Sequence, residues 1–137
     1  MHRRQFVQAV WALPASLCAS AADSVLGILE QSSGDHPVLR TPSGERVLIE
    51  GDEDTLKVLR DQRLAGREIE ILGTRLNRSR FRAGPFYQTN ILVLKHGKKY
   101  LVTNWCDVCS IRSYTPGECV CCQQETQLDL RPLDSPP

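Results

Sequence analysis

Cysteine is the residue type with the clearest chemical meaning in this chain, because five of its six cysteines lie within seventeen residues. Cys106, Cys109, Cys119 and Cys122 give the spacing C-x2-C-x9-C-x2-C. Each C-x2-C turn can present two sulfur atoms to one ion, and two such turns make a tetrahedral four-thiolate site. The spacing therefore predicts a zinc site that holds a short β-ribbon together.

Two other cysteine chemistries fit this pattern less well. A c-type haem needs histidine directly after C-x2-C, and Ser110 and Gln123 occupy those positions. Trp105-Cys106-x-x-Cys109 resembles the active-site sequence of thioredoxins, whose reactive thiol lies at a helix N-terminus. Pro116-Gly117 interrupts any helix in this region, so a thioredoxin-like redox site is disfavoured.

Disulfides and copper stay open as alternatives to zinc. Two structural disulfides with one free thiol suit an oxidising compartment, although adjacent Cys121 and Cys122 can bridge only with strain. Soft sulfur ligands also select Cu+, and Cys121 could then be an additional or alternative ligand. His36 and His96 lie on predicted turns, so we do not count them among the ligands.

The first 22 residues have the pattern of a secretory signal peptide. A basic start containing Arg3-Arg4 precedes an apolar stretch at residues 9–17, and small residues follow it. Ala19-Ser20-Ala21 fits an A-x-A cleavage site, with a second site one residue later. We therefore expect an exported protein, periplasmic or secreted, from which Cys18 has been removed with the signal.

The head of this signal points to one export route. Arg3-Arg4-x-Phe6-Val7 resembles the twin-arginine motif, in which a hydrophobic pair follows two arginines at this offset. His2 and Gln8 depart from the usual motif, so a general secretory signal stays open. The twin-arginine route carries folded proteins, and a metal loaded before export would protect the thiolates from periplasmic oxidants. The predicted export route and the predicted zinc site therefore support each other.

From residue 24 onward, short apolar runs alternate with turn residues, as in a small β protein. A helix is predicted after the third strand, with Asp52 or Asp54 as its N-cap and Gly66 at its end, and Gly73 suggests a bulge. Three strands, one helix and two or three further strands are the order of an OB-fold, a Greek-key barrel. The predicted strands are residues 25–29, 38–41, 46–50, 68–72, 74–76, 90–94 and 100–102.

We therefore predict a mainly β chain in which a small OB-like barrel with one short helix precedes a zinc-ribbon-like β segment. The signal peptide takes residues 1–22, the barrel residues 24–104, the ribbon residues 105–131, and a Pro-rich disordered tail residues 132–137. A closing strand is expected at residues 126–130.

One segment of the barrel is a candidate surface for anions or another ligand. Arg78, Arg80 and Arg82 are spaced by two, so they point to one side of an extended segment, with Arg75 and Tyr87 close by. In an OB-fold this segment falls at the loop between the fourth and fifth strands, which often binds ligands. A solvated hairpin, kept soluble at its edge by the arginines, is the plainer alternative.

Length and charge exclude several classes of protein. The 137 residues carry a formal net charge of +1, which disfavours a nucleic-acid binder because such domains have a basic excess. No apolar run reaches the roughly 18 residues that span a bilayer, so no transmembrane segment is expected in the mature chain. Loss of the signal removes Arg3 and Arg4 but no acid, and the net charge becomes −1.

The cysteine segment also carries a resemblance to a group of exported soil-bacterial proteins of acidobacterial type. It rests on the pattern Cys106-Asp-Val-Cys109-x-Ile-Arg-x-Tyr114-x-Pro-Gly-x-Cys119-x-Cys121-Cys122-Gln123. The likeness is close over the last quarter of the chain and reaches the barrel only in outline. It implies that the five cysteines form one unit, and it implies no activity.

Three functions are compatible with these features. The first is an exported, non-catalytic metal-binding protein whose barrel binds an unknown protein or small ligand. It is favoured because the chain has no Ser-His-Asp arrangement, phosphate loop or carboxylate pair in a known motif. The second is a thiol redox or copper-handling protein that uses Cys121. The third is a nucleic-acid-binding protein, since OB-folds and zinc ribbons both serve that role, although export disfavours it.

Overall fold

The computed structural model describes residues 23–31 and 36–134, so the predicted signal peptide lies outside the described residues. The described chain is mainly β, with its strands joined in one sheet and two short α-helices. In chain order the elements are β1 (Asp23–Glu30), β2 (Val38–Arg40), β3 (Arg46–Glu50), α1 (Glu53–Leu59), β4 (Glu68–Asn77), β5 (Arg80–Ala83), α2 (Tyr87–Asn90), β6 (Ile91–Lys95), β7 (Lys98–Cys106), β8 (Ile111–Ser113) and β9 (Gln127–Pro132).

Strands β1 to β5 close into a barrel because their pairings return to the first strand. β1 pairs with β2, β2 with β3, and β4 with β5, all antiparallel, while β3 and β5 run parallel. The antiparallel pairing of β1 with β4, from Asp23 opposite Gly73 to Ile28 opposite Glu68, completes the ring. This order, with α1 between β3 and β4, confirms the predicted OB-like barrel.

Apolar side chains at alternate strand positions fill the barrel. Val47 and Ile49 of β3 and Phe81 of β5 are fully buried, and their neighbours in the strand point outward. Burial of a side chain of this size contributes roughly 1.5–3 kcal/mol. The core consists of Val25, Leu29, Leu39, Val47, Ile49, Val58, Leu59, Leu64, Ile69, Ile71, Phe81, Ala83, Ile91, Val93 and Val102.

Helix α1 packs against the barrel core and begins at a polar N-cap residue. The carboxylate of Asp52 accepts a hydrogen bond from the Thr55 backbone N–H at 2.8 Å, which makes Asp52 the N-cap as predicted. The buried face of the helix carries Leu56, Val58 and Leu59.

The predicted end of this helix at Gly66 is wrong. α1 ends at Leu59, and a separate 3-10 turn follows at Gln62–Leu64. The reason is a second cap: Asp61 accepts from the Arg63 backbone N–H at 3.0 Å and starts the new turn. Gly66 instead takes a positive φ of 77° in the turn that leads to β4.

The bulge suggested at Gly73 lies further along β4. Gly73 pairs in regular register with both β1 and β5, and the register shift falls between Arg75 and Asn77. A Cβ atom at Gly73 would overlap the Arg82 carbonyl oxygen and lie 2.8 Å from the backbone nitrogen of Gly84. Glycine is therefore required here by the close approach of the neighbouring chain.

The predicted hairpin around His96-Gly97 is present, and it extends the sheet beyond the closed barrel. β6 pairs with β4, from Ile69 opposite Val93 to Ile71 opposite Ile91, and β7 pairs with β6. His96 and Gly97 have φ values of 52° and 74°, the mirror-image turn geometry that matches the twist of a two-residue hairpin.

β7 carries the chain from this hairpin to the cysteines. One edge of β7 pairs with β9, from Tyr100 opposite Pro132 to Trp105 opposite Gln127. The other edge pairs with β6 and then, at its end, with β8. Leu128 and Leu130 of β9 pack against the barrel core. β7 and β9 therefore join the cysteine segment to the barrel core.

No helix in residues 23–31 and 36–134 is long and apolar enough to cross a membrane.

Candidate metal centre

Two short turns bring the four predicted ligands to one place. The first turn joins β7 to β8 and contains Cys106 and Cys109. The second contains Cys119 and Cys122, and an isolated bridge between Glu118 and Glu125 closes its base. The Cys119 N–H donates to the Gln124 carbonyl at 2.7 Å across the same base. Each C-x2-C pair thus lies at the tip of a β-hairpin-like loop.

The two turns have the same backbone design. The N–H of Ser110 donates to the Cys106 carbonyl at 2.8 Å, and the N–H of Gln123 donates to the Cys119 carbonyl at 2.9 Å. Ser110 and Gln123 have φ values of 54° and 61°, so each turn ends on a left-handed residue. In each turn a backbone N–H also donates to the sulfur of the first cysteine. The Cys109 nitrogen lies 3.5 Å from Cys106 Sγ, and the Cys121 nitrogen lies 3.5 Å from Cys119 Sγ.

The four sulfur atoms of Cys106, Cys109, Cys119 and Cys122 lie within 4.8 Å of one another. The Sγ atoms of Cys106 and Cys122 are 3.5 Å apart. A tetrahedral ion with metal–sulfur bonds of about 2.3 Å needs sulfur atoms about 3.8 Å apart, so this group can hold a metal ion. All five cysteines of the described residues are free thiols, and Cys121, which is exposed, lies outside the group of four.

Hydrogen bonding and burial move the thiol pKa values in opposite directions. The N–H groups of Cys122 and Cys121 donate toward the sulfur of Cys119 and lower its pKa to about 7. The neighbouring Cys121 thiol and burial raise the pKa of Cys109. At Cys106 the Cys109 N–H favours the thiolate, but burial and the nearby thiols outweigh it and raise the pKa. Several sulfur atoms this close can all be thiolates only beside a cation.

Arg63 connects the cysteine segment to the barrel. Its guanidinium pairs with the Asp61 carboxylate at 2.7 Å, which raises the pKa of Arg63. The same group donates to the Thr126 carbonyl at 3.0 Å and to Asn104 Oδ1 at 2.9 Å. Asn104 is fully buried and shares a face of β7 with Cys106, two residues on. The guanidinium therefore supports the strand that carries the first ligand.

A second arginine, Arg112, links the strands β7, β8 and β9 through its side chain. Arg112 of β8 lies opposite Trp105 of β7, and its guanidinium is 5.0 Å from the centre of the Trp105 ring. It also donates to Thr103 Oγ1 at 2.7 Å and pairs with Asp129 of β9 at 2.6 Å. Both cross-strand contacts fix β8 and β9 against β7 close to the cysteines.

The local structure around Cys106 and Cys109 differs from a thioredoxin-like site. Cys106 ends strand β7, and strand β8 begins two residues after Cys109. The helix whose N-terminus lowers the pKa of a reactive thiol in thioredoxins is therefore not formed by this segment. Within the described residues the group of potential metal ligands contains cysteines alone, and His96 lies in the β6–β7 turn.

The predicted arginine segment divides between two sides of the barrel. Arg80 and Arg82 point outward from β5 and both pair with Glu50, and Arg78 lies in the turn before them. Arg75 lies with its guanidinium 6.0 Å from the centre of the Phe81 ring. Tyr87 packs against the barrel core, where burial raises its pKa. The structure brings Arg80 and Arg82 together at Glu50, whereas Arg75 lies with Phe81 and Tyr87 with the core.

Two arginines that the sequence did not single out share the outward face with this group. Arg40 of β2 lies directly opposite Arg46 of β3, and both pair with Glu30. Arg46 is on the same side of β3 as Glu50, because the two are four residues apart in a strand. The alternation of β3 was visible in the sequence, but its pairing with β5 was not.

Comparisons with known proteins add no family to this description. No protein-family model matches the chain, and no curated protein or solved structure matches it significantly. The resemblance to exported soil-bacterial proteins therefore stays a prediction.

Proposed function

We propose that this chain is an exported, non-catalytic binding protein in which one Zn²⁺ ion stabilises the C-terminal ribbon and an OB-like barrel provides the binding surface. The four sulfur atoms within 4.8 Å of one another carry this proposal. Cys106, Cys109, Cys119 and Cys122 would be the ligands. When four protein thiolates fill a zinc site, no position is open for substrate, which favours a structural role.

The burial pattern supports a structural metal. Between residues 107 and 126 the buried side chains are Cys119 and Thr126, and the rest are half-buried or exposed. A segment of this length with so little apolar burial does not hold itself together. Metal binding to preformed turns supplies the missing stability, as in other small metal-dependent modules.

The experiment is metal analysis of mature protein purified without oxygen, with two matched variants. We expect about one zinc per chain in the natural protein and in Cys121→Ser, and loss of the metal in Cys119→Ser. Both variants remove one sulfur from the same turn, so only the role in the ligand set differs. A natural protein that contains no metal and has disulfides instead would contradict the zinc proposal.

A second candidate, a thiol redox or copper-handling protein, is favoured by Cys121. This thiol is exposed and neighbours Cys109, whose pKa it raises. A soft Cu+ ion could use it as a fifth or alternative ligand. Metal analysis of the natural protein and of Cys121→Ser separates the two candidates. A copper-loaded protein that loses its metal in Cys121→Ser favours the second, and a zinc-loaded one that keeps it favours the first.

Export is the remaining part of the proposal. Cleavage after Ala21 would leave β1 whole, because that strand begins at Asp23. We expect the N-terminus of the mature protein at Ala22. Changing Arg3 and Arg4 together to lysine keeps the positive charge and removes the twin-arginine motif. Precursor should then accumulate uncleaved in the cytoplasm, whereas continued processing would indicate the general secretory route.

A further inference from the structure

We infer that the outward surface of β2, β3 and β5 binds an acidic polysaccharide. We call this surface the arginine face. Its cations are Arg40, Arg46, Arg80 and Arg82, and Arg78 lies in the turn that precedes β5. The inference deepens the binding role proposed for the barrel, and it does not depend on the metal.

Four of these arginines form two triads, each built around one glutamate. Glu30 lies 3.4 Å from the guanidinium of Arg40 and 3.2 Å from that of Arg46. Glu50 pairs in the same way with Arg80 and, at 3.8 Å, with Arg82. Each triad has two positive charges and one negative charge, so each keeps a net charge of +1.

The glutamates hold the arginines in place but leave them open to a ligand. The four arginine side chains are 52–64% exposed, whereas Glu30 and Glu50 are 27% and 16% exposed. A guanidinium has five N–H donors, and one shared carboxylate engages only some of them. Arginines directly opposite each other in a sheet would repel without the glutamate between them. The outward donors are therefore fixed in position before an anion arrives, which lowers the entropy cost of binding.

The two triads form a row of positive charge that crosses β2, β3 and β5. Arg46 and Leu48 are two residues apart on one face of β3, and Arg80 lies beside Leu48, so the Cα atoms of Arg46 and Arg80 lie about 8 Å apart. In the parallel register Leu48 lies beside Arg80, and the Leu48 N–H donates to the Ser79 carbonyl at 2.7 Å. The turn that holds Arg78 is thus beside the start of β3, near the first triad. A row of this kind fits an extended chain with repeated anionic groups.

The chemistry of this face favours carboxylate or sulfate groups on a glycan over single-stranded nucleic acid. Single-stranded nucleic acids bind largely through stacking of bases on aromatic side chains. The outward positions of β2, β3 and β5 contain no aromatic residue, since Phe81 points into the core. Arginine binds carboxylate and sulfate oxygens through paired, charge-assisted hydrogen bonds, and that requires no ring.

The test measures binding of mature, metal-loaded protein to polygalacturonate by calorimetry. Neutral pullulan is the uncharged control. An oligothymidylate with the same number of negative charges as the polygalacturonate is the nucleic-acid control. We expect binding to polygalacturonate that weakens with salt, and none to pullulan. Replacing Arg46 and Arg80 with glutamine, one in each triad, should weaken binding about tenfold.

A matched variant separates this face from net charge alone. Lys57 and Lys98 are exposed and lie outside the arginine face, so their change to glutamine removes the same charge elsewhere. We expect this second variant to bind polygalacturonate as the natural protein does. An equal loss in both variants overturns the inference, as does tighter binding of the oligothymidylate or no binding of polygalacturonate. Zinc analysis of the same samples shows whether the metal proposal stands or fails independently.

Discussion

Arg63 donates a hydrogen bond to Asn104 at 2.9 Å, and this contact joins the 3-10 turn after α1 to the strand that ends at Cys106. The same guanidinium also holds Asp61, which is 8% exposed, and the Thr126 carbonyl. One side chain therefore links the barrel to both ends of the cysteine segment. It does so at a point where β7 passes from the barrel core to the metal ligands.

We predict that Arg63→Ala lowers the free energy of unfolding by about 2 kcal/mol, because it removes the cation paired with the nearly buried Asp61 carboxylate and the side chain that donates to the buried Asn104 oxygen. Lys57→Ala is the control, since Lys57 is an exposed side chain of α1. Its cost should be about 0.5 kcal/mol. Urea unfolding of the metal-loaded protein measures both values. Equal costs would show that Arg63 is an ordinary surface arginine.

The left-handed residues that end the two cysteine turns give a second prediction. Ser110→Val and Gln123→Val should each weaken metal binding, because a β-branched residue at φ values of 54° and 61° costs about 1–2 kcal/mol. Ser110→Gly and Gln123→Gly accept the same φ and should bind as the natural protein does. Competition with a chelator measures the affinities. If the glycine and valine variants behave alike, the two turns do not have this geometry in solution.

Asp52 gives a prediction about pH. The Thr55 backbone N–H lowers the pKa of Asp52 below its ordinary value of 3.8 in the folded protein. The cap therefore stabilises the fold fully above that value, and the contribution disappears as the pH falls through the lower folded-state pKa. Asp52→Ala should cost about 1 kcal/mol at neutral pH.

Asp52→Asn is the matched control for this cap. An asparagine caps a helix about as well as aspartate but does not titrate. The stability difference between Asp52→Asn and the natural protein should therefore change only in acid, below about pH 4. Thermal unfolding between pH 3 and pH 7 follows it. A difference that changes between pH 5 and pH 7 instead would contradict the assignment.

Gly73 gives a prediction about the barrel. We expect Gly73→Ala to destabilise the protein by about 1–3 kcal/mol, since a Cβ atom there has no room beside β5. Gly44→Asn is the contrast, because Gly44 has a φ of 87°, open space around it, and a conformation that asparagine tolerates. Urea unfolding compares the two. A tolerated Gly73→Ala would mean that β4 and β5 are not this close.

The parts of the fold that follow from local sequence were predictable. Asp52 before an apolar helical face indicates an N-cap, and His96-Gly97 between two apolar runs indicates a hairpin, because both signals act within a few residues. The predicted end of helix α1 was wrong because that end depends on residues far away in the sequence. Asp61 starts a new turn, and Arg63 of this turn is held by the distant Asn104 and Thr126.

The four cysteines of the candidate metal site were determined by the sequence, because each C-x2-C turn contains a backbone hydrogen bond between residues four apart. The sequence predicted the part of the arginine face that holds Arg80 and Arg82, but only the tertiary structure added Arg40 and Arg46 to it. Arg46 and Arg80 are 34 positions apart, and the parallel pairing of β3 with β5 places them on one surface. Such pairing depends on how the whole barrel closes, and no spacing within either strand encodes it.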